Sequence, residues 1–446
     1  MIWTTETVAT VLHTEGAEDR TFGAISTDTR TLGENDLFVA LVGEHFDGHE
    51  FLETARRAGA TGAVVHRGTP PVAGLVHFEV DDTLVALGRL ARKRRRQASG
   101  PVVAVTGTNG KTATKEMVAR ALGTRWKVHA TVANLNNRIG VPQTILAAPD
   151  DTEAFVVEAG ANEIGEIGHL RDIIEPSVAV VTNVSAGHLA GFGSLEAVLA
   201  EKVSLAHDCP VAVVGTRPPG LAAEARRHAR RVVTAGGDSG ADVAPDAWTA
   251  GDDGRVTLTV RGERVTLPVV GRHHLDNAMV AVAVAGELQL DMQQVVRALE
   301  QVRLPGGRCE VLRRGDLVIL NDTYNANPGS LKASLETAAD LRAGRPFVAV
   351  VGTMLELGDD SSRLHREAAE AILREHPKLV GATGEFIDAF EALGVPVDRL
   401  VTSRDVEELG SVLRDRLDGD ELVLVKASRG MRLERLIPLL TRENEV

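Results

Sequence analysis

The stretch Val102-Val103-Ala104-Val105-Thr106-Gly107-Thr108-Asn109-Gly110-Lys111-Thr112 limits this chain to few folds. A Val-rich apolar run stops at a small glycine-bearing turn, and Met117, Val118, Ala121 and Leu122 follow at helical spacing. In a strand, tight turn and helix start of this kind, backbone N–H groups converge on one point and favour an anion. The turn Gly107, Thr108, Asn109, Gly110 would supply that cradle. Lys111 would add a charge for terminal phosphates, and the Thr112 hydroxyl is placed to hold magnesium. The longer form of this pattern carries a glycine where Val105 stands, so the motif is a shortened one. An ordinary tight turn is the competing reading, but it gives no reason for a lysine beside so many glycine and asparagine positions.

Around this stretch, apolar runs at 102–106, 154–158, 177–182 and 211–214 alternate with helix-period segments. Such alternation predicts a parallel sheet covered on both faces, with ligands at the carboxyl ends of its strands. Residues 254–270 alternate as a hairpin does. After Arg308, runs at 316–320, 347–351, 379–382 and 421–425 predict a second parallel sheet. The first hundred residues read as a smaller α/β unit, with strands expected near Asp36–Leu41 and Thr61–Val65. The expected fold is therefore α/β in three domains. A small N-terminal α/β domain spans 1–98, a central phosphate-loop parallel-sheet domain 99–307, and a C-terminal Rossmann-like domain 308–446. The basic run Arg92-Lys93-Arg94-Arg95-Arg96 is read as a solvated helix end before a linker.

Composition narrows function. With 446 residues, 43% of them apolar, large cores can be buried. A net charge of −13 argues against a general nucleic-acid binder. No apolar run approaches the ~20 residues of a membrane span, and the first residues carry no export signal. Cys209 and Cys309 lie far apart without metal-ligand spacing, and both are expected to be reduced in a cytoplasmic protein.

Three residues outside the loop suggest chemistry. Glu158 ends an apolar run, and a buried carboxylate is costly unless paired or bound to metal. A salt-bridged structural role stays open. Magnesium, which prefers oxygen ligands, is the alternative. His188, in Asn183-Val184-Ser185-Ala186-Gly187-His188, could equally be an ordinary loop histidine. Lys202 is notable because the chain holds only 8 lysines against 41 arginines. A deprotonated lysine can be carbamylated by carbon dioxide, becoming a carboxylate-like metal ligand, whereas arginine cannot readily be. A plain surface lysine is the other reading.

The chain resembles the Mur ligases, ATP-dependent amide-forming enzymes of peptidoglycan precursor assembly. Gly107 to Thr112 is similar to that family's shortened phosphate loop. Asn134-Leu135-Asn136-Asn137-Arg138-Ile139-Gly140-Val141-Pro142, Asn321-Asp322-Thr323-Tyr324-Asn325-Ala326-Asn327-Pro328 and Leu355-Glu356-Leu357-Gly358 resemble the member that adds a dipeptide. The resemblance implies that UDP-MurNAc-tripeptide is activated by ATP as an acyl phosphate and coupled to D-Ala-D-Ala. It implies Ser26, Asp28 and Arg30 at the uridine-nucleotide sugar, and Asn134, Asn136 and Asn137 at its sugar and peptide. Thr112 and Glu158 would bind the magnesium shared with ATP, with a second magnesium on Glu158, His188 and carbamylated Lys202. Asn277 would lie at the adenine, and Arg308 and Asp322 would close on ATP. Tyr324, Asn325 and the Lys426–Met431 stretch would face the dipeptide. Lys111, Lys202 and His188 are the expected catalytic residues, in a cytoplasmic monomer.

Three positions depart from the family pattern: His274 for Asn, Ala427 for Gly and Thr353 for Asp. A sibling ligase adding a different amino acid is one rival reading, although the Asp-Asn-Pro-Arg expected of the diaminopimelate-adding relative is replaced here by Asn-Ala-Asn-Pro. Folylpolyglutamate synthase shares the architecture but not the Ser26-to-Arg30 motif. A nucleotide-driven switch is the rival from another class, and it would hydrolyse nucleotide without acid or amine.

Overall fold

A computed structural model describes residues 3–15, 18–187 and 189–440. Internal contacts group the chain into two compact units. One comprises Met1–Val105, Arg125–Ala161 and Gly165–Ala179, and the other Thr106–Thr124, Asn162–Ile164 and Val180–Val446.

In the first unit, Ile25–Ser26, Leu37–Val39, Gly62–His66 and Val76–Val80 form a four-stranded sheet in that order, all pairs parallel. Phe22, Leu37, Val64, Phe78 and Leu87 fill one core cluster, and Phe38, Leu52, Ala63 and Val65 another. Helix Thr83–Arg95 starts on Asp82, whose carboxylate accepts the N–H groups of Leu84 and Val85 at 2.8 and 3.0 Å. The basic end of that helix is solvated at Arg92, Lys93 and Arg96, as expected, but not at Arg94. Arg94 is 4% exposed and donates to the carbonyls of Ala148 and Pro149. Arg92 and Arg96 pair with Glu175. A buried guanidinium must find acceptors, and here main-chain carbonyls supply them.

The central sheet has the order Val128–Ala130, Ala154–Glu158, Val102–Thr106, Val178–Val181, Val211–Val214, Arg231–Thr234. Its registered pairs are parallel, among them Glu158 opposite Val105. Strands Val102–Thr106 and Ala154–Glu158 are buried at every residue, which is why each reads as an unbroken apolar run.

In the second unit, helix Lys111–Leu122 packs against His274–Glu287. The alternating segment near 254–270 is larger than a hairpin. Ala247–Ala250, Arg255–Val260 and Glu263–Val270 form a three-stranded antiparallel sheet. The last sheet runs Glu310–Arg314, Leu317–Asn321, Leu422–Lys426, Phe347–Val351, Leu379–Ala382, Leu400–Thr402. Its first pair is antiparallel and the others are parallel. No helix among the described residues is long and apolar enough to cross a membrane.

Candidate active site

The glycine turn is fixed by what lies behind it. Gly107 has φ 141° and Gly110 φ 77°, conformations that side chains resist. A Cβ on Gly107 would come 2.0 Å from Thr182 Oγ1, and one on Gly110 2.5 Å from Asn277 Oδ1. Neither position admits another residue without backbone strain and displacement of the Thr182 or Asn277 side chain. The turn is also bonded in place. Thr108 N donates to Asn183 O at 2.9 Å, Asn109 N to Asn183 Oδ1 at 3.1 Å, and Thr182 Oγ1 to Asn109 O at 2.6 Å. Asn109 and Asn327 exchange side-chain amide bonds at 2.8 and 3.3 Å, and Asn327 caps helix Pro328–Leu341.

Lys111 Nζ lies 2.9 Å from Gly107 O and 3.1 Å from Thr108 O, so the ammonium is folded over the turn. Thr112 is buried one residue into a twelve-residue helix whose first turn carries no acidic residue. The positive end of that helix and the Lys111 charge reinforce one another.

Asn277 Oδ1 accepts from Thr114 Oγ1 at 3.2 Å, which leaves its amide nitrogen to donate to His274 Nδ1, also at 3.2 Å. That network assigns the His274 proton to Nε2, which is buried without a partner. Burial, then the charges of His273 and Arg308, push the His274 imidazole well below its ordinary range. The Arg308 guanidinium lies over the Tyr324 ring at 3.6 Å, and its Nε is likewise buried and unpartnered.

Asp322 and Lys426 are adjacent strand-end residues. Asp322 Oδ2 accepts from Lys426 Nζ and from Ser334 Oγ, each at 2.5 Å, and Oδ1 accepts from Cys309 N at 3.1 Å. Burial pushes the Asp322 carboxyl up, but Lys426 and the Ser334 hydroxyl outweigh it and hold the group below the ordinary carboxylate range. Lys426 also donates to the Asn325 carbonyl at 3.0 Å. The resemblance places Lys426 only within a segment facing the dipeptide, and its ion pair with Asp322 is an addition from the structure. Lys202 is 2% exposed, with Nζ 5.0 Å from the centre of the Phe192 ring, so it is not a surface lysine. His188 lies outside the described residues.

In the first unit, Glu158 is 3% exposed and its Oε1 accepts from Asn136 Nδ2 at 2.8 Å. Asn137 turns inward to its own chain, accepting from the N–H groups of Ile139 and Gly140 at 3.2 and 2.8 Å, while Asn134 is exposed. Ser26 Oγ accepts from Asp28 N at 3.1 Å. Asp28 binds Arg30 at 2.6 Å, and the side-chain bond to Arg30 lowers its carboxyl pKa to about 2. Thr353, the departure nearest the expected dipeptide region, has a local task. Its hydroxyl accepts the Glu385 N–H at 3.0 Å at the start of helix Glu385–Ala392.

Among the described residues no three His, Cys, Asp or Glu side chains gather at one point. Glu158 offers a buried carboxylate in the first unit and Thr112 a buried hydroxyl in the second, each an oxygen donor. That chemistry suits magnesium rather than a soft transition metal.

A phosphate-type glycine turn on a parallel sheet, followed by a second α/β sheet, defines a nucleotide-dependent enzyme class, and comparison with known proteins gives the family. Family models match in three successive segments: "Mur ligase family, catalytic domain" at residues 21–95, "Mur ligase middle domain" at 105–285, and "Mur ligase, glutamate ligase domain" at 307–429. The chain belongs to the Mur ligase family. It is 33% identical to a Bacillus subtilis UDP-N-acetylmuramoyl-tripeptide–D-alanyl-D-alanine ligase over 94% of this chain and 93% of that one. The Synechocystis enzyme of the same name is 36% identical, over 96% and 94%. A crystal structure of MurF from Acinetobacter baumannii superposes with TM-score 0.90 at 29% identity, covering 99% of each chain. MurF from Thermotoga maritima in complex with ADP gives 0.81 at 29% identity, covering 94% and 96%.

Proposed function

We propose that this chain is an ATP-dependent ligase that joins D-Ala-D-Ala to UDP-MurNAc-tripeptide in cytoplasmic peptidoglycan precursor synthesis, acting as a monomer. The observation that carries the nucleotide part is the glycine turn, with Lys111 folded over it and both glycines sterically required. The relatives' shared activity supports the choice of acid and amine. Residues 1–98 hold the UDP-sugar, 99–307 bind ATP, and 308–446 receive the amine.

The reaction has two steps. An oxygen of the tripeptide carboxylate attacks the γ-phosphorus of ATP, forming an acyl phosphate as the bond to ADP breaks. The dipeptide amine then attacks the acyl carbon, loses a proton, and phosphate leaves as the C–O bond breaks. In this reading the turn Gly107, Thr108, Asn109 and Gly110 holds the phosphates at the start of helix Lys111–Leu122, the Thr108 and Asn109 N–H groups fixing the turn to Asn183, and Lys111 swings from its carbonyl partners onto the phosphates. Asn277 lies at the adenine, and Arg308 and Asp322 close on ATP, with Lys426 holding the Asp322 carboxylate in place. Ser26, Asp28 and Arg30 take the uridine sugar, Asn134, Asn136 and Asn137 the muramoyl peptide, and Tyr324 and Asn325 the dipeptide. Thr112, Glu158, His188 and a carbamylated Lys202 would hold two magnesium ions. Bound magnesium would offset charge as carboxylate and phosphate approach. The protein's contribution is otherwise placement and fixed dipoles.

The test is reactant dependence. ADP formation should require acid and amine together, with a product heavier than the tripeptide substrate by one dipeptide less water. Steady ATP hydrolysis without either would instead favour a nucleotide switch.

A further inference from the structure

Arg138 and Arg308 each bury an Nε without a hydrogen-bond partner, but Arg308 lies over the Tyr324 ring and Arg138 has no such neighbour among the described residues. It is half-buried, its Nε is shut off from solvent, and that atom has no hydrogen-bond partner. Among the described residues no carboxylate lies within ion-pair distance of it. Arg94 and Arg95 of the same unit both donate to main-chain carbonyls. The group beside Arg138 is the His169 imidazole, pushed down by burial and then by the Arg138 charge, so it offers no anion. Leaving a guanidinium donor buried and unmet is unfavourable, and such a group in a native fold calls for an explanation.

Its place in the chain supplies one. Two residues earlier, Asn136 bonds the strand-end carboxylate Glu158 at 2.8 Å, and Gly160 N donates to Asn136 O at 2.8 Å. Asn137 is occupied in holding the turn into helix Gly140–Leu146. The loop is therefore fixed on both sides of a cation that it does not neutralise.

We propose that Arg138 is a specificity-determining residue that receives an anionic group of the UDP-linked peptide. This rests on the function proposed above. A planar guanidinium with an unmet Nε–H suits a two-oxygen anion held by paired hydrogen bonds. The acid substrate has three such groups beyond the reacting carboxylate: the second carboxylate of its glutamyl residue, a side-chain carboxylate on the third peptide residue, and the diphosphate.

Two tripeptide substrates separate these sources, one with diaminopimelate third and one with lysine third. Arg138→Ala should raise KM for the peptide substrate about tenfold, with kcat and the KM values for ATP and dipeptide unchanged, and Arg138→Lys should recover part of the loss. A rise confined to the diaminopimelate substrate assigns the side-chain carboxylate. An equal rise for both assigns the diphosphate if UDP-MurNAc lacking the peptide also binds more weakly, and the glutamyl carboxylate if it does not. Unchanged KM for both substrates overturns the proposal, as does a loss spread over all three reactants with a lowered Tm. Equilibrium binding of the same substrates keeps the two readings apart. Weaker binding by the variant without wild-type turnover would support Arg138 and sink the ligase assignment, and no wild-type binding would sink both.

Discussion

Lys426 Nζ sits 2.5 Å from Asp322 Oδ2, and the lysine side chain is almost wholly enclosed. Each charge is tolerable inside the fold only because the other is there. Removing one partner of such a pair typically costs about 3–5 kcal/mol, since the survivor stays buried and unmatched. Lys426→Met and Asp322→Asn should therefore each lower the urea midpoint sharply. The double variant should recover much of the loss, because no uncompensated charge remains. Additive losses in that cycle would show that the two residues are not coupled.

Acid should destabilise the fold well before its carboxylates titrate. Burial pushes His274 well below the ordinary imidazole range, and it lowers His365 too, against the opposing pull of the Ser361 carbonyl. His365 Nε2 accepts the Met354 N–H at 2.9 Å, a bond that only the neutral ring can take. Because the unfolded chain binds protons more readily here, stability should fall as pH drops below about 6.5. Asp322, whose carboxyl is also lowered, adds a second loss only near pH 4 and beneath. Unfolding midpoints measured from pH 8 to 5 should show the first decline, and His365→Gln should flatten it.

Much of the architecture was readable because buried parallel strands leave a plain trace. Phe347–Val351 and Ala154–Glu158 are enclosed on both faces and read as continuous apolar runs. Val128–Ala130 and Leu400–Thr402 are short strands at the sheet edges, only partly buried, and leave no such run. Ala247–Ala250 is mostly exposed, so a three-stranded sheet read as a hairpin. The glycine turn was legible because Gly107 and Gly110 are required by backbone angle and close approach. Arg138 was not, since an arginine lacking a partner looks like any other arginine until its surroundings are known. Arg94 misled for the same reason, as its acceptors are carbonyls more than fifty residues away.

Lys202 provides a direct test of the metal-ligand reading. Its enclosure against Phe192 removes the plain surface role, and a nearby aromatic face tolerates either an ammonium or a neutral amine poorly hydrated by water. If carbamate formation makes it a ligand, Lys202→Arg should lose at least about a hundredfold in kcat although the positive charge is kept. Lys202→Ala should regain part of its activity with added acetate or propionate, which can occupy the vacated volume. Mass spectrometry under gentle, bicarbonate-containing conditions should find the carbamate mass on wild type. Full activity in the arginine variant would remove the carbamate.

Thr353 decides whether the departure from aspartate alters amine selection. Its hydroxyl accepts the Glu385 N–H at 3.0 Å, and Gly384 is forced close, with a Cβ there falling 2.0 Å from Thr353 Oγ1. The threonine thus caps helix Glu385–Ala392 from a neighbouring loop, a task an aspartate oxygen can also perform. Thr353→Ala should cost about 1 kcal/mol of stability through the lost cap. Thr353→Asp should retain the cap and leave the ranking of amine substrates unchanged. The comparison is a panel of D-Ala-D-Ala, D-Ala and diaminopimelate, followed by ADP formation for wild type and both variants. A change in preferred amine in Thr353→Asp, at unchanged Tm, would mean that this position reads the amine as well as holding the helix.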